Sequence, residues 1–293
     1  MSIFDDPKID CHNHVFDPAR FPYQADTFYR PAGQEIATAH QFRQVMAAYG
    51  VRHALAVGPN SGYGTDNRCL IDAIAAGGGR LKGVAVVARD ASTAELASLK
   101  SQGIIGIAFN PTILGVDYYR NAHDLLTRLA DIDLFLQVQV EKNQLVEFAE
   151  LIDRSQVRLV IDHCGRPDPE AGLDQPGFKA LLALGRAGRA SVKLSGLAKF
   201  SRQPHPHNDT WPYVHALANA FTLDACVWGS DWPFVRAAER IDYGPLLKLF
   251  EQLFPDPADQ RKVLWDTPRR LFGFAELKLM PRRRGSAARC PRV

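Results

Sequence analysis

The chain has 293 residues, of which 46% are hydrophobic and 23% are charged. This balance provides a large buried core and excludes a disordered or fibrous protein. The formal net charge is +3, but residues 278–293 hold six of the basic residues and no acid, which leaves 29 Lys and Arg against 32 Asp and Glu in the rest of the chain. The positive charge therefore belongs to the C-terminus, and the body of the chain is not that of a nucleic-acid-binding protein.

The five cysteines are odd in number and form no CxxC pair. They are typical of reduced, buried thiols in a cytoplasmic protein. The N-terminus, MSIFDDPKID, lacks the charged and apolar regions of a signal peptide, and no uninterrupted apolar run reaches the length of a membrane span. We therefore expect a cytoplasmic protein without membrane contact, whose oligomeric state the sequence leaves open.

Eight short apolar runs recur along the chain, most of them followed by a longer stretch with Leu, Ile or Ala at helical spacing. The predicted strands are 8–16, 53–60, 81–88, 105–112, 134–140, 158–165, 191–196 and 225–233. Strands that are apolar at nearly every position need cover on both faces, which is typical of a parallel sheet with crossover helices. Eight such units predict an α/β fold with a single (β/α)8 TIM-type barrel.

The competing fold is an open doubly wound sheet, but no GxGxxG fingerprint follows the first strand. No linker divides the body, so we expect one barrel domain over 1–277 and a basic, solvated tail over 278–293. The longest connections, 17–33 and 197–210, are rich in proline and polar residues and are expected to form active-site loops.

Candidate catalytic residues lie at three strand ends, where the chemistry of such barrels collects. The first strand ends in His12 and His14, the sixth in His163 and the eighth in Asp231. Two histidines spaced two apart on an extended segment project to one side, where both can meet a cation or a substrate oxygen. For His163 a simpler interpretation is that Asp162 or a backbone carbonyl holds its ring in place. No helix start follows Asp231 directly, which favours a catalytic base over a helix cap.

Three segments together, the HxH at 12–14, VIDHCGRPD at 160–168 and WGSDWP at 228–233, resemble the amidohydrolase superfamily. They are most similar to its branch of 2-pyrone-4,6-dicarboxylate lactonases, 4-sulfomuconolactone hydrolases and sugar lactonases. The resemblance runs from about Lys8 to Phe274. It implies a (β/α)8 barrel that hydrolyses a small carboxylated or sugar-derived lactone, with Asp231 as general base and then general acid.

The resemblance also implies a set of substrate-binding positions. They are Tyr29, Ser61, Arg166 and Lys199, together with Asn110 and Gln139 at the ends of the fourth and fifth strands. Ala108 and Leu114 stand where the pyrone dicarboxylate enzymes bring arginines. A dianionic substrate would lack bidentate partners there, so we expect a lactone other than 2-pyrone-4,6-dicarboxylate.

The sequence leaves the cofactor open between none and one divalent cation, zinc being favoured. The fourth and fifth strands lack the Lys or Glu and the His that a two-metal amidohydrolase adds. The candidate ligands of one cation are His12, His14, His163 and Asp231, and without metal the three histidines would polarise the carbonyl directly.

Two alternatives to the lactone hydrolase remain. One is a metal-dependent decarboxylase of an aromatic or muconate-type acid, which a related amidohydrolase branch implies. The other is a barrel that only binds ligands, which would give no reason to keep a carboxylate beside three histidines.

Overall fold

In the computed structural model, which describes residues 2–275, eight parallel strands pair in chain order into one sheet. They are β1 (Lys8–Asn13), β2 (Val51–Val57), β3 (Leu81–Ala85), β4 (Ile104–Phe109), β5 (Phe135–Val138), β6 (Leu159–Ile161), β7 (Ala190–Leu194) and β8 (Cys226–Trp228). The predicted barrel is confirmed. The predicted basic tail lies outside the described residues, and the domain boundary at 277 stays a prediction.

The sheet closes on itself where β1 meets the segment after β8. Asn13 and Trp232 form a parallel bridge, and the His14 N–H donates to the Trp232 carbonyl at 2.8 Å. The Asp231 N–H donates to the His12 carbonyl, also at 2.8 Å. The seam of the barrel therefore holds three candidate catalytic residues against one another through their backbones.

Helices cover the outside of the sheet. They are α1 (Ala39–Ala48), α2 (Asn60–Tyr63), α3 (Arg68–Ala76), α4 (Thr93–Ser101), α5 (Pro111–Leu114), α6 (His123–Asp131), α7 (Gln144–Asp153), α8 (Pro176–Arg186), α9 (Trp211–Phe221), α10 (Tyr243–Leu253), α11 (Pro257–Arg261) and α12 (Thr267–Phe272). Thr38 and Gln41 start α1 with a reciprocal capping box. Because α10 begins only at Tyr243, Asp231 does not cap it, as predicted.

Alternate strand residues pack into two cores, which is why the strands are apolar on both faces. Val160 packs with Leu55 and Val227 in an inner cluster, while its neighbours Leu159 and Ile161 join the larger outer cluster under the helices. The four cysteines in the described part of the chain are buried and free, as predicted.

The predicted strands extend too far at their carboxyl ends. β6 ends at Ile161 and β8 at Trp228, four and five residues before the predicted limits of 165 and 233. The reason is the backbone, since His163 and Asp231 have φ of 48° and 57°, which no strand residue adopts. The polar residues therefore lie on sharp turns at the strand ends.

Within residues 2–275, every helix is too short or too polar to pass through a lipid bilayer. A cytoplasmic location stays a prediction.

Candidate active site

Three imidazole rings point at one carboxylate oxygen. Oδ1 of Asp231 lies 3.7 Å from Nε2 of His12, 3.5 Å from Nε2 of His14 and 3.9 Å from Nε2 of His163. His12 and His163 are buried, and His14 is half-buried. The structure therefore brings together the four residues that the sequence placed at three separate strand ends.

The outer nitrogens of two of these histidines are held by the barrel wall. Nδ1 of His14 lies 2.8 Å from the Val57 carbonyl, and Nδ1 of His163 lies 3.0 Å from Oγ of Ser195. Because a carbonyl can only accept, the His14 Nδ1 carries the hydrogen. The wall aims both rings so that Nε2 faces the cavity.

His12 is held by a buried charged network. Its Nδ1 lies 3.2 Å from Oδ1 of Asp162 and 3.1 Å from Nζ of Lys193, while Lys193 also contacts Asp162 and Gln137. Asp162 therefore pairs with His12 and not with His163, whose ring Ser195 holds. The sequence analysis missed Lys193, although a lysine inside the apolar strand SVKLSG is a detectable signal.

A third buried carboxylate, that of Asp10, holds the two sides of the barrel seam together. Asp10 accepts hydrogen bonds from the backbone N–H groups of His12 and Ser230, at 3.1 and 3.0 Å. The hydroxyls of Ser230 and Tyr243 donate to its other oxygen at 2.6 and 3.0 Å. Because Asp10 binds both sides of the seam, it sets the position of His12 relative to the loop that carries Asp231.

Burial and neighbouring charges fix the ionisation of the site. Burial and the Lys193 ammonium lower the pKa of His12 to about 4, and burial followed by His12 lowers the pKa of His163 to about 3. Burial raises the pKa of Asp231, but Lys199 and His163 outweigh it and hold the pKa well below its usual range. At neutral pH the site thus holds an ionised carboxylate and at least two neutral imidazoles.

The four residues lie in a cavity of about 520 Å³ at the carboxyl end of the barrel. Five of the six predicted substrate-binding residues line it, namely Ser61, Asn110, Gln139, Arg166 and Lys199. Tyr29 does not line it, because its hydroxyl donates to Glu35 at 2.7 Å, and Phe28 lines the cavity instead. A loop prediction from sequence cannot tell which of two adjacent residues turns inward.

Three basic side chains line the cavity. Nζ of Lys199 lies 3.1 Å from Oδ2 of Asp231, and the guanidinium of Arg166 lies 3.2 Å from a carboxylate oxygen of Glu141. Arg236, which the sequence analysis missed, lines the mouth from the loop after β8. The wall therefore offers cations at several points around the three histidines.

The donor set fits one divalent cation by type and spacing. Both groups of three metal-ligating side chains in the described part of the chain include His12, one with His14 and Asp231 and the other with Asp162 and His163. Imidazole and carboxylate are zinc ligands, and separations near 3.6 Å suit a tetrahedral site with bonds of about 2.0–2.1 Å. Such a site requires a lone pair on Nε2 of His12.

Comparisons of sequence and structure find similar proteins over most of the chain. Residues 9–274 match the family model described as Amidohydrolase. A 4-sulfomuconolactone hydrolase from Rhizobium radiobacter is 32% identical over 274 residues, which cover 90% of this chain and 89% of the relative. A 2-pyrone-4,6-dicarboxylate hydrolase from Comamonas testosteroni is 27% identical over 277 residues, with coverage of 90% and 89%. The crystal structure of a "probable 2-pyrone-4,6-dicarboxylic acid hydrolase" from Acinetobacter baumannii with citric acid bound has a TM-score of 0.77 at 29% identity, covering 91% of this chain and 99% of that one.

Proposed function

The chain belongs to the amidohydrolase family and is a hydrolase, and we propose that it opens a small carboxylated lactone by adding water to the ring ester. The observation that carries this proposal is the convergence of three imidazole Nε2 atoms on one oxygen of Asp231, at 3.5 to 3.9 Å. An ionised carboxylate surrounded by imidazoles supplies a proton acceptor for water and polar groups for an oxyanion in the same small space.

Asp231 carries the proton through the reaction. Its carboxylate takes a proton from water as the water oxygen attacks the lactone carbonyl, and His12 and His163 face the oxygen that becomes negative. When the ring C–O bond breaks, protonated Asp231 returns the proton to the leaving oxygen. The product is an open-chain hydroxy acid, and Asp231 is again ionised.

A divalent cation, if held by His12, His14 and Asp231, would supply additional polarisation of the same carbonyl. The steps assigned to Asp231 do not depend on it.

The cavity wall supports a substrate with one carboxylate near the reacting ring. Lys199 and Arg166 are cations that line the cavity, and each already has one carboxylate neighbour. On the β4 side the wall offers Ala108 and Asn110, neither of which is charged. A second carboxylate on that side would lose water without gaining an ionic partner, which disfavours a dianion such as 2-pyrone-4,6-dicarboxylate.

The decarboxylase alternative has less support. The named relatives with at least 27% identity over 90% of the chain are lactone hydrolases.

A panel of lactones tests the proposal. Muconolactones with one carboxylate, sugar-derived lactones and 2-pyrone-4,6-dicarboxylate are incubated separately with the protein, and ring opening is followed by proton release and absorbance. We expect the highest kcat/KM for a monocarboxylated lactone. CO2 release from an aromatic or muconate-type acid, with every lactone left intact, would replace the hydrolase by the decarboxylase.

A further inference from the structure

Lys193 is a buried cation that takes no direct part in the proposed reaction. It lies on β7, is fully buried, and does not line the cavity. Its Nζ has three neighbours within hydrogen-bonding distance: Oε1 of Gln137 at 2.6 Å, Oδ1 of Asp162 at 3.0 Å and Nδ1 of His12 at 3.1 Å. A lysine ammonium has three N–H donors and no acceptor, so the number of neighbours equals the number of donors.

The hydrogen bonds around Lys193 can be satisfied in one way only. Oε1 of Gln137 accepts from Lys193, so the amide nitrogen of Gln137 donates to Oδ2 of Asp162 at 2.7 Å. If Nδ1 of His12 carried a hydrogen, it would face the third N–H of Lys193, and that donor would have no acceptor in a fully buried place. Buried donors without partners are rare because water is absent. Nδ1 of His12 is therefore an acceptor.

The protonation of the inner nitrogen of His12, Nε2, follows from this assignment. A neutral imidazole carries its hydrogen on one nitrogen, so an accepting Nδ1 leaves the hydrogen on Nε2. That Nε2 has no hydrogen-bond partner within the protein, but His12 lines the cavity, where a substrate oxygen can accept from it, whereas Lys193 has no such access. His14 has the opposite arrangement, because its Nδ1 must donate to the Val57 carbonyl at 2.8 Å, and a neutral His14 thus presents a lone pair.

We infer that Lys193 is a positioning residue that fixes the tautomer of His12, so that Nε2–H of His12 donates to the lactone carbonyl oxygen as it becomes negative. The catalytic part of this inference rests on the proposed function, whereas the tautomer itself does not. A donor prepared in this way needs no rearrangement when the oxyanion forms.

The tautomer can be measured without substrate. Protein labelled with ¹⁵N-histidine is examined by NMR, with the His12 signals assigned from a His12→Asn variant. We expect wild-type His12 to show an unprotonated Nδ1 and a protonated Nε2. In Lys193→Met, Nδ1 becomes free to donate to Asp162 at 3.2 Å, so the two signals should exchange character.

The matched control is Lys8→Met. Lys8 is also fully buried, but its Nζ donates to the carbonyls of Asp6 and Tyr49 at 2.6 and 2.5 Å, away from His12. This variant loses a buried ammonium in the same way, and we expect its His12 spectrum to match the wild type. On the preferred lactone, Lys193→Met should lower kcat about 100-fold, with KM changed much less, and Lys8→Met should leave kcat unchanged.

A wild-type spectrum with a protonated Nδ1 on His12 would overturn the inference, and this result requires no folded variant. A Lys193→Met protein that keeps the wild-type tautomer would also overturn it. If no lactone is hydrolysed but the spectra behave as expected, the proposed function fails and the role of Lys193 in setting the tautomer stands.

Discussion

The two ends of the barrel bury the same residue types with different partners. At the amino end, Lys8 donates to backbone carbonyls at 2.6 and 2.5 Å. At the carboxyl end, Lys193 contacts the side chains of Gln137, Asp162 and His12. The backbone carbonyls only hold Lys8 in place. The contact of Lys193 with Nδ1 of His12, in contrast, acts on the protonation of a ring that lines the cavity.

The buried histidines differ in the same way. His53 at the amino end stacks on Phe274 with ring centroids 4.9 Å apart, and its Nε2 lies 3.1 Å from the Ala275 carbonyl. His12 and His163 at the other end face the carboxylate of Asp231. A buried histidine is therefore not evidence of catalysis by itself, and the group that its inner nitrogen faces decides its role.

Among changes at the carboxyl end of the barrel, Asp231→Asn should have the largest effect on kcat. Asparagine keeps the shape of the side chain but cannot take a proton from water, so kcat should fall about 1000-fold. The matched control is His53→Gln, which changes an equally buried residue at the amino end and should leave kcat unchanged. Steady-state kinetics on the preferred lactone measures both, and an Asp231→Asn protein with wild-type kcat would remove Asp231 from the mechanism.

Lys199→Met should have a smaller effect on the same site. Lys199 lies 3.1 Å from Asp231 and helps to hold its pKa low, so without the ammonium the pKa of Asp231 rises. The acidic limb of the kcat/KM profile should therefore move to higher pH, and KM for a carboxylated lactone should increase about tenfold through loss of one ion pair. An acidic limb at the same pH in Lys199→Met and in the wild type would show that Lys199 does not act on Asp231.

Much of this site was predictable from the sequence because its signals are local. The apolar runs predicted all eight strands, and the placement of His12, His14 and Asp231 at strand ends predicted that these side chains lie together. The role of Lys193 was not predictable, because its partners come from β1, β5 and the residue after β6, and only the closed barrel brings them together. The prediction that Tyr29 lines the cavity was wrong for a related reason, since the direction of this side chain depends on how a loop folds over the barrel.

The stability of the fold should also respond to acid through the buried histidines at the carboxyl end of the barrel. The pKa of His12 is lowered to about 4 and that of His163 to about 3, from 6.5 in both cases. Between pH 6.5 and 4 the unfolded chain therefore binds more protons than the folded chain, and the free energy of unfolding falls as the pH falls. Each such histidine contributes a slope of about 1.4 kcal/mol per pH unit.

Urea unfolding of wild type and His163→Gln at several pH values measures this contribution. In the variant, the slope of the free energy of unfolding against pH should be smaller by about 1.4 kcal/mol per pH unit, whatever the stability of the variant at neutral pH. Parallel curves for the two proteins would show that His163 is not held neutral by the fold.

The smallest expected effect is that of removing metal. If Lys193 keeps the hydrogen on Nε2 of His12, this nitrogen has no lone pair for a cation, and the group of His12, His14 and Asp231 loses a member. Dialysis against a chelator should then leave kcat/KM on the preferred lactone within about twofold of its starting value. Activity that disappears and returns with zinc would place a lone pair on Nε2 of His12 and make the carboxyl end of the barrel a metal centre.

Lys193→Met should have the opposite effect on zinc binding. In this variant Nδ1 of His12 can donate to Asp162, which leaves the lone pair of Nε2 free to bind zinc. The zinc affinity measured by calorimetry should therefore rise in Lys193→Met and stay unchanged in Lys8→Met.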